Sequence, residues 1–199
     1  MEKEEGRSET SLHGVLIDVY GIGVLLLGES GTGKSECALD LVTRGHRLVA
    51  DDVVEVLRES DGILIGRGPA RIRHHMEVRG LGIINIRDLF GVAAIRYRKR
   101  IELVILLEAW RPEEEYDRLG VEEQTHRILD VPIPQLRIPV SAGRNIAILV
   151  EVAARNHLLK LMGIHAARNF AAHLSNADAS EEGGVGEVDL PQYSRDDTE

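Results

Sequence analysis

The sequence holds a single cysteine, Cys37, which excludes an internal disulfide framework and suits a reducing compartment. No apolar run approaches the roughly 20 residues that a membrane-crossing helix needs. The start, Met1-Glu2-Lys3-Glu4-Glu5, has no secretory character. Aromatic residues are sparse, at 4%, and no basic patch interleaves with them, so nucleic acid is not an expected partner. Lysine is scarce too, with 4 against 20 arginines, and none of Lys3, Lys34, Lys99 or Lys160 is followed two positions on by aspartate. That removes the Lys-x-Asp pattern with which a GTPase reads its base. His13, His74 and His75 have no metal-ligand spacing with the cysteine or with each other, which excludes a zinc site of the usual kind. There is no internal repeat and no interior linker. The expectation is a soluble, cytoplasmic protein without a membrane partner.

Charge is unevenly placed. The net charge is −9, yet the first ten residues and the stretch from Asp178 onward account for all of it, and the body between is balanced. The C-terminal stretch Ala179-Ser180-Glu181-Glu182-Gly183-Gly184 is also poor in apolar residues. Such a composition cannot bury enough surface to offset chain entropy and is expected to be disordered. It is either a solvated end or a regulatory arm.

What is present is more specific. Gly28-Glu29-Ser30-Gly31-Thr32-Gly33-Lys34-Ser35 fits G-x-x-x-x-G-K-[ST], the phosphate-binding loop, at every fixed position. The glycines permit positive φ, so that successive N–H groups can face one concavity. A helix starting near Lys34 adds its positive end. Lys34 can reach nucleotide phosphates, and the Ser35 hydroxyl suits Mg²⁺, a hard cation that prefers oxygen. The context agrees: Val24–Leu27 is an apolar strand-like run, and Glu36–Arg44 follows with helical spacing until Gly45.

Along the rest of the chain, Ser11–Val19 alternates as a strand and turns back at Tyr20–Gly23. Arg47–Ala50 is a short strand ending at Asp51-Asp52. Val53–Leu57 and Ile63–Gly66 form a hairpin around Asp61-Gly62. Pro69–Gly91 is mixed, with a helical patch near Ile84–Phe90. Ile101–Leu107 reads as a buried central strand. Trp110–Gly120 is a charged loop long enough to suspect function. Gln124–Asp130 and Leu136–Val140 are strands separated by Val131-Pro132-Ile133-Pro134. Asn145–Met162 is the clearest helix, stopped by Gly163, and a last helix lies near His165–Leu174. The fold class is α/β: one phosphate-loop domain over residues 11–175, its mixed sheet rich in antiparallel strands, with residues 1–10 as a disordered or linker start and 176–199 as an acidic tail.

Four further segments could carry chemistry. Asp51-Asp52 closes a strand where a metal-positioning or base aspartate can stand, or is a polar strand end. Glu77-Val78-Arg79-Gly80-Leu81-Gly82 can bring backbone and charge to phosphates, or is a turn. Asp117-Arg118 is a clamp or an exposed ion pair. Gly143-Arg144-Asn145 feeds a helix start, either an anion site or a plain N-terminus capped by Ser141 or Asn145.

Taken together, residues 13–18, 28–36, 44–52, 77–84, 116–120 and 140–145 closely resemble HPr kinase/phosphorylase, in unbroken order over about residues 11–175. The resemblance implies a bacterial Mg²⁺- and ATP-dependent enzyme that phosphorylates a serine of HPr, the phosphocarrier of the sugar phosphotransferase system. It also implies the reverse reaction, in which inorganic phosphate accepts the group and pyrophosphate leaves. The implied fold is a P-loop domain similar to that of phosphoenolpyruvate carboxykinase, assembled as a homohexamer. Carried over by position, the catalytic residues are His13, Lys34, Asp52 and Arg118, and the magnesium contacts are Ser35 and Glu77. The segment Glu77 to Ile86 matches the part important in both directions, and Pro139 to Arg144 the part tied to dephosphorylation. Asp52 is the expected base, and Lys34 and Arg118 offset charge on the transferring group. Most members carry an additional N-terminal domain, and this sequence begins almost directly at the catalytic part. The competing readings are a short relative acting on another protein or small molecule, and a nucleotide-sensing module without turnover.

Overall fold

The computed structural model describes residues 8–59, 61–111, 113, 123–141 and 143–181. It divides into a unit ending at Ile164 and a second one from His165 on. In the second, α4 (Ala166–Glu181) is a single helix.

Six strands make the main sheet of the first unit. They are β2 (Val15–Val19), β3 (Ile22–Leu27), β4 (Arg47–Ala50), β10 (Leu103–Ala109), β11 (Gln124–Ile128) and β12 (Val131–Val140), in the order β11-β12-β10-β3-β2-β4. β10 runs parallel to both β3 and β12, and the other pairs are antiparallel. A second, antiparallel sheet holds β1 (Glu9–His13), β5 (Val53–Arg58), β6 (Leu64–Arg67) and β9 (Arg98–Arg100), in the order β1-β5-β6-β9. A two-stranded hairpin joins β7 (His75–Val78) to β8 (Gly82–Asn85). The helices are α1 (Lys34–Thr43), the short α2 (Ile86–Phe90) and α3 (Ile146–Leu161). The fold is thus α/β with mixed and antiparallel sheets.

The central strands are apolar on both faces because both are covered. Val15, Ile17, Val24, Leu26 and Ile105 pack with Ala38, Leu41 and Val42 of α1 and Ala147, Val150 and Ala154 of α3. Leu16, Leu25 and Val104 point the other way, onto Val54, Val56 and Leu64 of the second sheet. Burial on two sides explains the continuous runs, where a half-exposed strand would alternate. His46 and Glu151 tie the end of α1 to α3, with Nε2 and Oε1 2.8 Å apart.

The structure differs from the sequence reading in several places, among them α4, which runs to Glu181 where a disordered tail is expected from residue 176, and β9, which that reading does not contain. Ser11–Val19 is two strands in two sheets, broken at Gly14. A Cβ there would stand 2.6 Å from the Leu26 carbonyl oxygen, so only glycine lets the chain cross so close. Residues 75–78 and 82–85, read as mixed, form the β7–β8 hairpin. Val131–Pro134 does not separate two strands but opens β12. β11 turns directly into it through Leu129 and Asp130, both at positive φ, the geometry a two-residue hairpin needs. Pro132 and Pro134 pair only with β11, ahead of the point where β10 joins at Gln135. A missing N–H is tolerated where a strand has one free edge.

Candidate active site

The Gly28–Ser35 loop connects β3 to α1, and a cavity of about 270 Å³ opens beside it. Three glycines of the loop hold positive φ, namely Gly28 (145°), Gly31 (86°) and Gly33 (86°). The Thr32 hydroxyl donates to the Glu29 carbonyl at 2.9 Å, which fixes the bend. Lys34 is the first residue of α1. Its ammonium donates to the loop's own carbonyls, Gly28 O at 2.8 Å and Glu29 O at 2.9 Å. Burial pushes the pKa of this ammonium down, while the charges of Asp51, Asp52 and Glu36 pull it up.

Strand β4 delivers the two aspartates. Asp51 is 6% exposed, and its carboxylate accepts from the Ser35 hydroxyl at 2.9 Å and from the backbone N–H of Glu77. Burial raises the pKa of Asp51, those two hydrogen bonds lower it, and the neighbouring Asp52 charge raises it again. Asp52 sits at φ 65°, a left-handed conformation that aspartate tolerates better than most residues. The conformation turns its side chain away from that of Asp51, and Oδ1 lies 3.1 Å from His13 Nδ1.

The cavity therefore collects, from the sequence-predicted set, His13, Ser30, Gly31, Gly33, Lys34, Ser35, Asp51, Asp52, Glu77 and Arg79. Gly28, Glu29 and Thr32 shape the loop from behind. The Arg79 guanidinium lies against Gly31, its Nη2 3.3 Å from where a Cβ would stand. Gly80 and Gly82 are in and beside the β7–β8 turn. Gly143 and Arg144 are not among the residues lining the cavity. Arg144 donates to the Pro139 carbonyl at 3.0 Å, and Asn145 caps α3 by accepting from Ile148 N–H at 3.0 Å. Arg118 lies outside the described residues. Sequence reasoning missed Ile72, His75 and Met76, which also line the cavity, as does Ile83 of the resembling segment Glu77 to Ile86. Alternation through β7 puts His75 on the face of Glu77, but nothing in the sequence marked Ile72.

Chemically, the loop offers an ammonium and, at the start of α1, a positive helix end, a fit for an anion. Ser35, Asp51 and Glu77 offer a hydroxyl and carboxylates, the oxygen donors a hard cation takes. Magnesium binds through one or two such groups plus the oxygens of its substrate, so it does not require a dense cluster. Among the described residues no group of three or more His, Cys, Asp or Glu side chains could hold an ion by itself. Asp52, exposed at the cavity and held by His13, can take up or release one proton.

Comparison with known proteins places this arrangement. The family described as HPr Serine kinase C-terminal domain matches residues 5–174. HPr kinase/phosphorylase of Geobacter sulfurreducens is 60% identical over 161 residues, covering 81% of this chain and 50% of that protein. The Geobacillus thermodenitrificans protein of the same name is 60% identical over 174 residues, 87% of this chain and 56% of the relative. The Bacillus subtilis one is 55% identical over 174 residues, with the same coverage. The chain spans about half the length of the curated relatives it matches. The solved structure of the Hpr(Ser) kinase/phosphatase from Coxiella burnetii superposes with a TM-score of 0.71 at 33% identity, over 83% of this chain and 98% of that one. With the match running through both sheets, the loop and the aspartate pair, this chain belongs to the HPr serine kinase C-terminal domain family.

Proposed function

We propose that the chain is the catalytic portion of a cytoplasmic, Mg²⁺- and ATP-dependent enzyme that phosphorylates a serine of the phosphocarrier HPr. The same site removes that phosphate by phosphorolysis, with inorganic phosphate as acceptor and pyrophosphate as product, in control of carbon metabolism. The observation that carries the reading is that Asp52 and Lys34 line one cavity with Ser35 and Glu77. The names of the relatives support the substrate.

On this reading the Gly28–Ser35 loop is a P-loop in a fold of the phosphoenolpyruvate carboxykinase type, and the working assembly is a homohexamer. Lys34 leaves the Gly28 and Glu29 carbonyls for the β- and γ-phosphates. Ser35 and Glu77 would hold magnesium, which would supply positive charge to the phosphate oxygens. In the forward direction the serine Oγ forms a bond to the γ-phosphorus, the bond to the β-phosphate oxygen breaks, and the serine proton passes to Asp52. His13 holds the Asp52 carboxylate toward the incoming hydroxyl. In reverse, a phosphate oxygen bonds to the phosphoserine phosphorus and Asp52 protonates the departing serine oxygen, as microscopic reversibility requires. Lys34, Arg79 and, from its position in the resembling segment, Arg118 offset charge on the group in flight. Gly143 and Arg144 act in dephosphorylation.

The test incubates the protein with ATP, Mg²⁺ and purified HPr and maps the phosphate by mass spectrometry. Incubation with phosphorylated HPr and inorganic phosphate should then release pyrophosphate. Nucleotide hydrolysis with HPr left unmodified would overturn the proposal.

A further inference from the structure

The rim of the cavity carries apolar side chains that the chemistry above does not use. Ile83 is 76% exposed and lines the cavity. It stands directly opposite Glu77 in the β7–β8 register. Leu81 is 71% exposed at the tip of the same hairpin. The Leu81 N–H bonds to the Val78 carbonyl at 3.0 Å, and Gly80 has a φ of 86°, the third position of a tight turn that favours glycine. Ile72 also lines the cavity and is 40% exposed. A large apolar side chain left in water next to a carboxylate gains nothing for the fold, and grouped exposure of this kind marks a surface that is covered in use.

What covers it follows from reach. A serine hydroxyl that arrives at Asp52 belongs to a chain whose neighbouring residues lie about 3.5 Å apart. The residues one or two positions from the serine must therefore rest on the rim. Resting on the proposed serine kinase activity, we propose that Ile72, Leu81 and Ile83 form a docking lip for the protein substrate, one that selects apolar side chains immediately flanking the target serine. The lip acts on the affinity for the protein and not on the nucleotide, which occupies the loop side of the cavity.

The experiment measures KM for purified HPr and, separately, the ATP dissociation constant by calorimetry, for the wild type, Leu81→Ser, Leu81→Met and Ile83→Ser. Leu81 is mostly in water, so its replacement should leave the melting temperature unchanged. The expected result is a KM for HPr raised about tenfold in Leu81→Ser and in Ile83→Ser, about the size of one lost apolar anchor. Leu81→Met should keep it near wild type, with ATP affinity in Leu81→Ser unchanged. An unchanged KM in both serine variants would overturn the lip, as would a shift in sedimentation of Leu81→Ser without a change in KM, which would assign the hairpin to a contact between copies of the chain. If the wild type does not phosphorylate HPr at all, the kinase reading fails and the lip falls with it.

Discussion

His13 Nδ1 and Asp52 Oδ1 lie 3.1 Å apart, and the backbone locks the pair in place, because the N–H of Gly14 donates to the Asp52 carbonyl at 3.0 Å. The end of β1 and the end of β4 are thereby fastened together at the cavity. Asp52→Asn keeps the size of the side chain but cannot accept the serine proton. It is expected to leave ATP affinity within about threefold and to lower phosphoserine formation by roughly 10³-fold, the usual worth of a general base. Transfer at the wild-type rate would remove Asp52 from that role.

Lys34→Ala removes the ammonium that the loop carbonyls hold. Both directions are expected to stop, and calorimetry should show ATP binding weakened by about 2 kcal/mol, in keeping with a lost charge-assisted contact. Retained tight binding would mean that the backbone of the loop carries the phosphates alone.

Gly14→Ala tests the junction. The added methyl meets the Leu26 carbonyl oxygen at 2.6 Å and Leu27 Cδ2 at 2.9 Å, and the backbone oxygen cannot yield. Thermal or urea unfolding should show a loss of about 2–3 kcal/mol, as for other overpacked sites. Activity should fall as well, since the same shift moves His13 from Asp52.

Cys37 lies on the buried face of α1, and burial pushes its thiol up to about 12. The thiolate is the reactive form. The native protein should therefore resist iodoacetamide or a disulfide reagent at neutral pH, and label promptly in denaturant. Rapid labelling of the folded protein would contradict the burial.

His157 gives the fold an acid-sensitive point. Burial depresses its pKa, with Lys160 acting in the same direction and Glu102 and Glu123 opposing. The unfolded chain thus takes up the proton first. The stability this group supports is present above the ordinary histidine range and is lost as pH falls through the depressed value. His157→Gln should flatten the stability curve between about pH 7 and pH 5 by on the order of 1 kcal/mol. Parallel curves for variant and wild type would assign the acid sensitivity elsewhere.

Much of the local order was legible because it rests on short-range rules. The strand, glycine loop and helix around Lys34 follow from apolar spacing and from glycine at positions of positive φ. The hairpin of β2 and β3 and the end of α3 before Gly163 are of the same kind. The β7–β8 hairpin was harder to see. Its turn offers Gly80 and Gly82, and His75 to Val78 alternates, but over only four residues, while Gly82 to Asn85 does not alternate at all. The two prolines opening β12 were misread since their tolerance depends on which neighbour strand reaches them.

The sequence by itself determined the loop, its lysine and serine, and the presence of an aspartate pair at a strand end. It did so because backbone conformation and helix start are set by residues adjacent in the chain. Only the tertiary structure decided which aspartate does what. Asp51 is drawn inward between Ser35 and Glu77, whereas Asp52, at positive φ, is turned out to His13. Those partners come from α1, β7 and β1, and no local pattern specifies a contact that forms only when these elements have packed.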